Sequence, residues 1–109
     1  MTKLDNPTKM KSKGIKYEFA AKPWQYSGPA GWHFVSLPKK LAKEIRNTLK
    51  SEEEGWGRLK ATAKIGESEW KTAIWFDTKM NTYLLPLKAK IREKENLAIG
   101  KDVATILWI

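Results

Sequence analysis

The chain has 109 residues, of which 41% are hydrophobic and 30% are charged, so its size and composition fit one folded domain. It has no cysteine and a single histidine, His33, which excludes disulfides, thiolate metal sites and paired histidine ligands within the chain. No apolar run approaches the ~20 residues of a membrane-spanning helix, and no signal-peptide pattern opens the chain. We therefore expect a cytoplasmic protein without a metal, a cofactor or a membrane partner.

The chain is basic, with 21 Lys and Arg residues against 12 Asp and Glu residues and a formal net charge of +9. Residues 1–14 are rich in lysine and lack apolar periodicity, which predicts a flexible basic leader. A single β-barrel domain is then expected over residues 15–109. Two interpretations of the charge stay open, namely ordinary solubilisation and the binding of a polyanion.

Six segments either alternate between apolar and polar residues or are short and apolar, which is typical of strands. These segments are residues 15–22, 32–37, 58–65, 70–77, 82–87 and 103–109. A turn around Gly66 separates the third segment from the fourth, so these two are predicted to form a hairpin.

One segment has the periodicity of a helix. Leu41, Ile45 and Leu49 recur every four residues behind a proline, whose missing N–H suits the first helical turn. We predict a helix over about residues 38–50 and a short helical turn over about 88–94, where the chain is charged and lacks Gly and Pro.

Six strands in so short a chain must protect their edges, and closure into a barrel does this most completely. The prediction is a mainly β fold: a small six-stranded barrel, closed or partly open and Greek-key-like, with the first helix covering an open end. An open α+β sheet is the alternative.

The sequence contains no catalytic motif. It lacks a nucleophile elbow, a phosphate loop and a dinucleotide-binding glycine pattern. His33 lies within a strand between two aromatic residues, where a structural role is favoured over that of a general base. We expect a protein that is not an enzyme, and carboxylate or lysine chemistry is only a third possibility.

Six tryptophans exceed what a core of this size needs. Trp70 shares its face with Ile74 and is assigned to the core, whereas Trp75 and Trp108 fall on more polar or mixed faces. Three others flank loops and glycines, where they would line the mouth of a barrel: Trp24, Trp32 and Trp56. Packing and loop anchoring are one interpretation, and a ligand or partner surface is the other.

Lys88 and Arg92 are four residues apart in the predicted helical turn and would share a face. Together with Lys90 or Lys64 they would hold a carboxylate or a phosphate; a surface pair, or Arg92 bound to an acidic neighbour, is the alternative. The predicted ligand-binding residues are Arg92, Lys88, Trp75, Trp32 and Trp56.

The sequence leaves open two functions, which belong to different classes. The first is a non-enzymatic binding module for a small anionic ligand or a peptide. The alternative is weak single-stranded nucleic-acid binding through exposed tryptophans and basic strand faces. The basic residues of these faces are Arg58, Lys60, Lys64 and Lys71. A monomer or a weak homodimer is expected in either case.

Several segments, taken in order, are similar to a known family pattern. They are Trp32–Pro38 leading into a helix, the hairpin from Gly57, Tyr83–Lys88 followed by Arg92, and Gly100–Val103. In this order they resemble the bacterial family called domain of unknown function nineteen-oh-five, over residues 15–109. The resemblance implies a small Greek-key-like β-barrel and, because the family has no assigned activity, no chemistry. Members often carry a bacteriocin-protection-like module as well, which we do not expect in this chain.

Overall fold

Strands form where the sequence alternates. The computed structural model describes residues 14–109, so the predicted leader lies outside the described residues except for Gly14. The strands are β1 (Lys16–Ala21), β2 (Trp24–Gln25), β3 (His33–Ser36), β4 (Arg58–Ile65), β5 (Ser68–Asp77), β6 (Thr82–Pro86) and β7 (Val103–Trp108).

The seven strands form one antiparallel sheet in the order β1-β7-β4-β5-β6-β3-β2. Its two edge strands, β1 and β2, are separated in the chain by only Lys22 and Pro23, so the sheet curls into a partly open barrel. The predicted mainly β fold is confirmed. The structure adds a seventh strand, because the two residues of β2 are too few to produce a recognisable alternation.

Helices occur at both predicted places. Helix α1 (Lys39–Leu49) continues into a 3₁₀ turn at Lys50–Glu52, and α2 (Ala89–Lys94) is short. A further 3₁₀ turn spans Gly55–Gly57. Among residues 14–109, no helix is long and apolar enough to cross a membrane.

One side of the sheet, which we call the inner face, packs against α1. Ala42 and Ile45 of α1 are buried there. The cross-strand pair Leu59–Ile74 is buried on the same face, and so is the pair Val35–Leu85. Trp70 packs against this core, as predicted. Because side chains alternate along a strand, the remaining residues of each strand point to the opposite side, the outer face.

A partly buried polar contact ties the end of α1 to the sheet. The Tyr83 hydroxyl donates a hydrogen bond to Glu53, and Arg46 Nε lies 3.8 Å from the same carboxylate. The Arg46 guanidinium stacks 3.7 Å above the ring centre of Phe76, which meets Tyr83 edge-on. Burial, and then the hydrogen bond to Glu53, raise the pKa of Tyr83 above its ordinary value.

Ile45→Ala tests the packing of α1. Ile45 is 0% exposed, so we expect the substitution to lower the free energy of unfolding by about 2–5 kcal/mol through lost contacts and a residual cavity. Ile99 is 57% exposed, and the same change there is expected to cost roughly 0.5 kcal/mol or less. Urea denaturation measures both values, and equal losses would contradict the burial of α1.

Tyr83→Phe tests the polar contact. We expect a loss of roughly 1–3 kcal/mol at neutral pH, because the partly buried Glu53 carboxylate loses a donor. In the native protein the folded-state pKa of Tyr83 is raised, so its contribution is complete below the ordinary tyrosine pKa of 10.0 and is lost as the pH rises above it.

The stability difference between the two proteins should therefore shrink above pH 10.0. Urea denaturation across this pH range measures the difference. Two parallel stability curves would show that Tyr83 titrates as it does in the unfolded chain.

Candidate functional site

A row of four aromatic rings crosses the outer face from β2 to β5. Trp24 packs 5.3 Å from Phe34, Phe34 stacks 6.1 Å from Trp32, and Trp32 meets Trp75 edge-on at 6.3 Å, measured between ring centroids. The Trp24 indole N–H donates a hydrogen bond of 2.8 Å to Ser36 Oγ, which fixes one end of the row. We call these four residues the aromatic row.

A cleft of about 830 Å³ opens beside Trp32 and Trp75 and reaches Trp108 of β7. We call it the outer cleft. Trp75 reaches it because its neighbour Ile74 is buried in the core, and Trp108 lies opposite Thr62 on the same face. The volume falls within the ~300–1,000 Å³ of typical small-molecule sites.

Basic side chains dominate the polar part of the outer cleft. They are Arg58, Lys60, Lys71 and Lys88. Glu54 pairs with Arg58 at 2.5 Å and with Lys60 at 3.6 Å, so one carboxylate is shared by two cations. Among residues 14–109, no carboxylate lies within 4.0 Å of the ammonium groups of Lys71 and Lys88. The outer cleft is therefore positively charged.

A second groove, of about 580 Å³, lies on the other side of Trp32 and is mainly apolar. It is bordered by Trp24, Tyr26 and Pro29. Trp32 is 48% exposed and Tyr26 is 53% exposed, so the ring surface of the row is open to solvent on this side too. Trp32 thus belongs to both grooves.

The structure brings three of the five predicted ligand residues together, because Trp32, Trp75 and Lys88 all line the outer cleft. They meet on the outer face of the sheet, whereas the sequence placed the tryptophans at a barrel mouth. The outward direction of Trp75 follows from strand alternation. Its contact with Trp32 does not, because the two residues are distant in the chain. Phe34 was not among the predicted site residues, although it stands between two of the tryptophans in the aromatic row.

Arg92 lies elsewhere. Its Nε donates to the Leu87 carbonyl at 3.1 Å, and its Nη1 is 3.5 Å from His33 Nε2. Lys88 precedes α2 in an extended conformation, so the two side chains do not form the helical pair that their spacing predicts. His33 Nδ1 is buried without a partner among the described residues.

Trp56 is also apart from the outer cleft. It is 95% exposed in the 3₁₀ turn Gly55–Gly57, and its φ of 70° is unusual for a bulky residue. Across residues 14–109, no group of three or more acidic or histidine side chains is placed to hold a metal ion.

The fold defines a small, mainly β domain built from one curled antiparallel sheet and a covering helix. The family model described as Domain of unknown function (DUF1905) matches residues 19–107, and the chain belongs to this family. The match runs from β1 to β7 and includes the whole aromatic row, which confirms the resemblance found in the sequence. A search of curated proteins gives no match.

Proposed function

We propose that this protein is a non-enzymatic binding module whose outer cleft takes a small anionic ligand with a planar ring. One observation carries the proposal: the exposed indole of Trp32 and the half-buried indole of Trp75 stand beside four basic side chains, of which two share a single carboxylate. No step of the proposal requires chemistry on the ligand.

The tryptophans of the outer cleft suit the planar ring of such a ligand, and its lysines suit the anionic group. Indole faces stack on planar rings, and Trp32 is held by Phe34 and Trp75, so little side-chain freedom is lost on binding. Lysine ammonium groups bind phosphate or carboxylate oxygens. Of the four cations that line the outer cleft, Lys71 and Lys88 have no carboxylate within 4.0 Å among the described residues. A peptide with an aromatic side chain and an acidic group presents the same two features.

The aromatic row favours a second candidate function, weak binding of single-stranded nucleic acid on the outer face. The row extends beyond the outer cleft to Trp24, which gives more ring surface than one small ligand covers. Successive bases stack on such rings while basic residues follow the backbone.

Adenosine monophosphate is a suitable first probe, and tryptophan fluorescence reports its binding. We expect Trp32→Ala to weaken binding by roughly tenfold or more, because a stacking partner is lost. The double variant Lys71→Gln/Lys88→Gln is expected to weaken binding of the monophosphate while leaving that of uncharged adenosine nearly unchanged. Lys90→Gln/Lys94→Gln is the matched control, because neither lysine lines the outer cleft.

The outcomes separate the two candidates. If Trp32→Ala weakens binding of the monophosphate and Lys90→Gln/Lys94→Gln leaves it intact, the small-ligand function is supported. A short oligonucleotide that binds far more tightly than the monophosphate, with the same sensitivity to Trp32→Ala, supports the second candidate instead. If neither the monophosphate nor phenyl phosphate changes the fluorescence, the proposed ligand class is wrong.

A further inference from the structure

A second basic surface lies along α1, away from the outer cleft. It is a groove of about 700 Å³ between α1 and the end of the β5–β6 hairpin, with Phe76 and Asn81 on the hairpin side. We call it the α1 groove. Five basic residues line it: Lys39, Lys40, Lys43, Arg46 and Lys50. It shares no residue with the outer cleft, so an inference about it goes beyond the function proposed above.

Four of these cations form a single stripe. Lys39, Lys43 and Arg46 are spaced at i, i+4 and i+7, which places them within about 60° of arc along about 10 Å of α1. Lys50 follows directly in the 3₁₀ turn, and its N–H donates to the Arg46 carbonyl, so it continues the stripe. The apolar stripe of α1 faces the core beside them. Glu44, the one acidic residue of α1, lies about 100° or more around the helix from each of these residues.

At the N-terminal end of α1 this arrangement opposes the stability of the helix. Lys39–Lys43 and Arg46–Lys50 are like-charge pairs at i,i+4, which are destabilising. The first turn of α1 has two lysines, no acidic residue and no side-chain cap, although the helix dipole disfavours positive charge at that end. Lysines that only keep the protein in solution do not have to lie together, so solubility does not require this destabilising arrangement. A binding site for an anion does require its cations to lie together.

Arg46 is already held in place. Its guanidinium stacks on Phe76, and its Nε faces Glu53, whose carboxylate also accepts the Tyr83 hydrogen bond. The Glu53 carboxylate therefore already has two partners, Arg46 and Tyr83, beneath the groove. Its single charge does not balance the lysines, so an anion approaching α1 meets a row of cations in which Arg46 is fixed.

The composition of the α1 groove favours phosphates over an acidic protein. Phe76 is its one aromatic residue and is covered by Arg46, so a protein partner finds little apolar surface to bury at the centre of an interface. Lysines bind phosphates as point charges, and a strand of nucleic acid presents phosphates at regular intervals.

An exposed ring lies close to this groove. A Cβ atom built on Gly57 would lie 3.1 Å from Phe76 Cβ and 3.7 Å from Glu53 Oε1, so the turn that carries Trp56 packs against the residues beneath Arg46. Trp56 itself is 95% exposed and has a left-handed backbone conformation. A left-handed backbone is energetically unfavourable for a bulky residue, and here it holds an indole in solvent. An indole in this position can stack on a nucleic-acid base.

We propose that the α1 groove binds single-stranded nucleic acid, with the phosphates along the lysine stripe and a base stacked on Trp56. Recognition there is independent of sequence, because the groove offers cations and one ring face. DNA and RNA present the same phosphates and bases, so both are included in the test.

Fluorescence anisotropy with labelled oligo-dT and oligo-rU of about 15 nucleotides tests the proposal, using the full chain over a series of salt concentrations. Three charge-matched variants are compared. The stripe variant is Lys39→Gln/Lys43→Gln/Lys50→Gln, the outer-face variant is Lys60→Gln/Lys71→Gln/Lys88→Gln, and the control is Lys90→Gln/Lys94→Gln/Lys101→Gln. Residues 1–14 are unchanged in all three, so their lysines contribute equally.

We expect the stripe variant to lose at least about tenfold in affinity and to reduce the salt slope by about two, since three phosphate contacts disappear. The control variant should change affinity by less than about threefold. Trp56→Ala should weaken binding by roughly tenfold without changing the salt slope, because stacking is not an ionic contact. Thermal unfolding should show the stripe variant to be as stable as the native protein or more so.

Other results would overturn the proposal. Equal losses of affinity in the stripe and control variants would mean that net charge alone drives binding. A loss of affinity confined to the outer-face variant would mean that the oligonucleotide binds on the aromatic row. Polyglutamate is the competitor for this test. If it displaces the labelled oligonucleotide as effectively as an unlabelled oligonucleotide does, the groove recognises negative charge of any kind. We expect the stripe variant to leave the affinity of the outer cleft for adenosine monophosphate unchanged, because none of its three lysines lines that cleft. A failure of this proposal is therefore distinguishable from a failure of the small-ligand function.

Discussion

The packing of α1 on the inner face of the curled sheet is the constraint on which the rest of the structure depends. Ala42 and Ile45 complete a core that already contains the buried residues of β3 to β7. Once that side of the sheet is filled, strand alternation leaves the outer face for Trp75 and its aromatic neighbours. The same packing turns the lysine stripe of α1 towards the β5–β6 hairpin. Both candidate binding surfaces are therefore consequences of where one helix lies.

The two surfaces use their positive charge differently. In the outer cleft the cations accompany tryptophan rings, and Glu54 neutralises part of the charge. In the α1 groove the carboxylate of Glu53 is held by Tyr83 and Arg46, and the lysines face solvent together. A compact ligand with both a ring and an anion matches the first surface, whereas a long polyanion matches the second.

Most of the fold was predictable because alternation and helical periodicity are local signals. The helix at 38–50 and the hairpin of β4 and β5 appear where the pattern places them. The site was predictable only in part. Strand parity gave the outward direction of Trp75, but the aromatic row joins β2, β3 and β5, and the Trp32–Trp75 contact depends on the curl of the sheet. Lys88 and Arg92 separate because the helical turn starts one residue after Lys88.

The sequence by itself determined the β class, the single covering helix and the face of each strand, since these depend on the order of apolar and polar residues along the chain. The tertiary structure alone decided which basic residues share a surface and which carboxylates neutralise them. Glu54 and Glu53 are only one position apart in the chain, yet one binds Arg58 and Lys60 on the outer face and the other binds Arg46 and Tyr83 beneath the α1 groove. Charge pairing depends on distance through space, and in this fold the sheet's curl and the position of α1 set those distances.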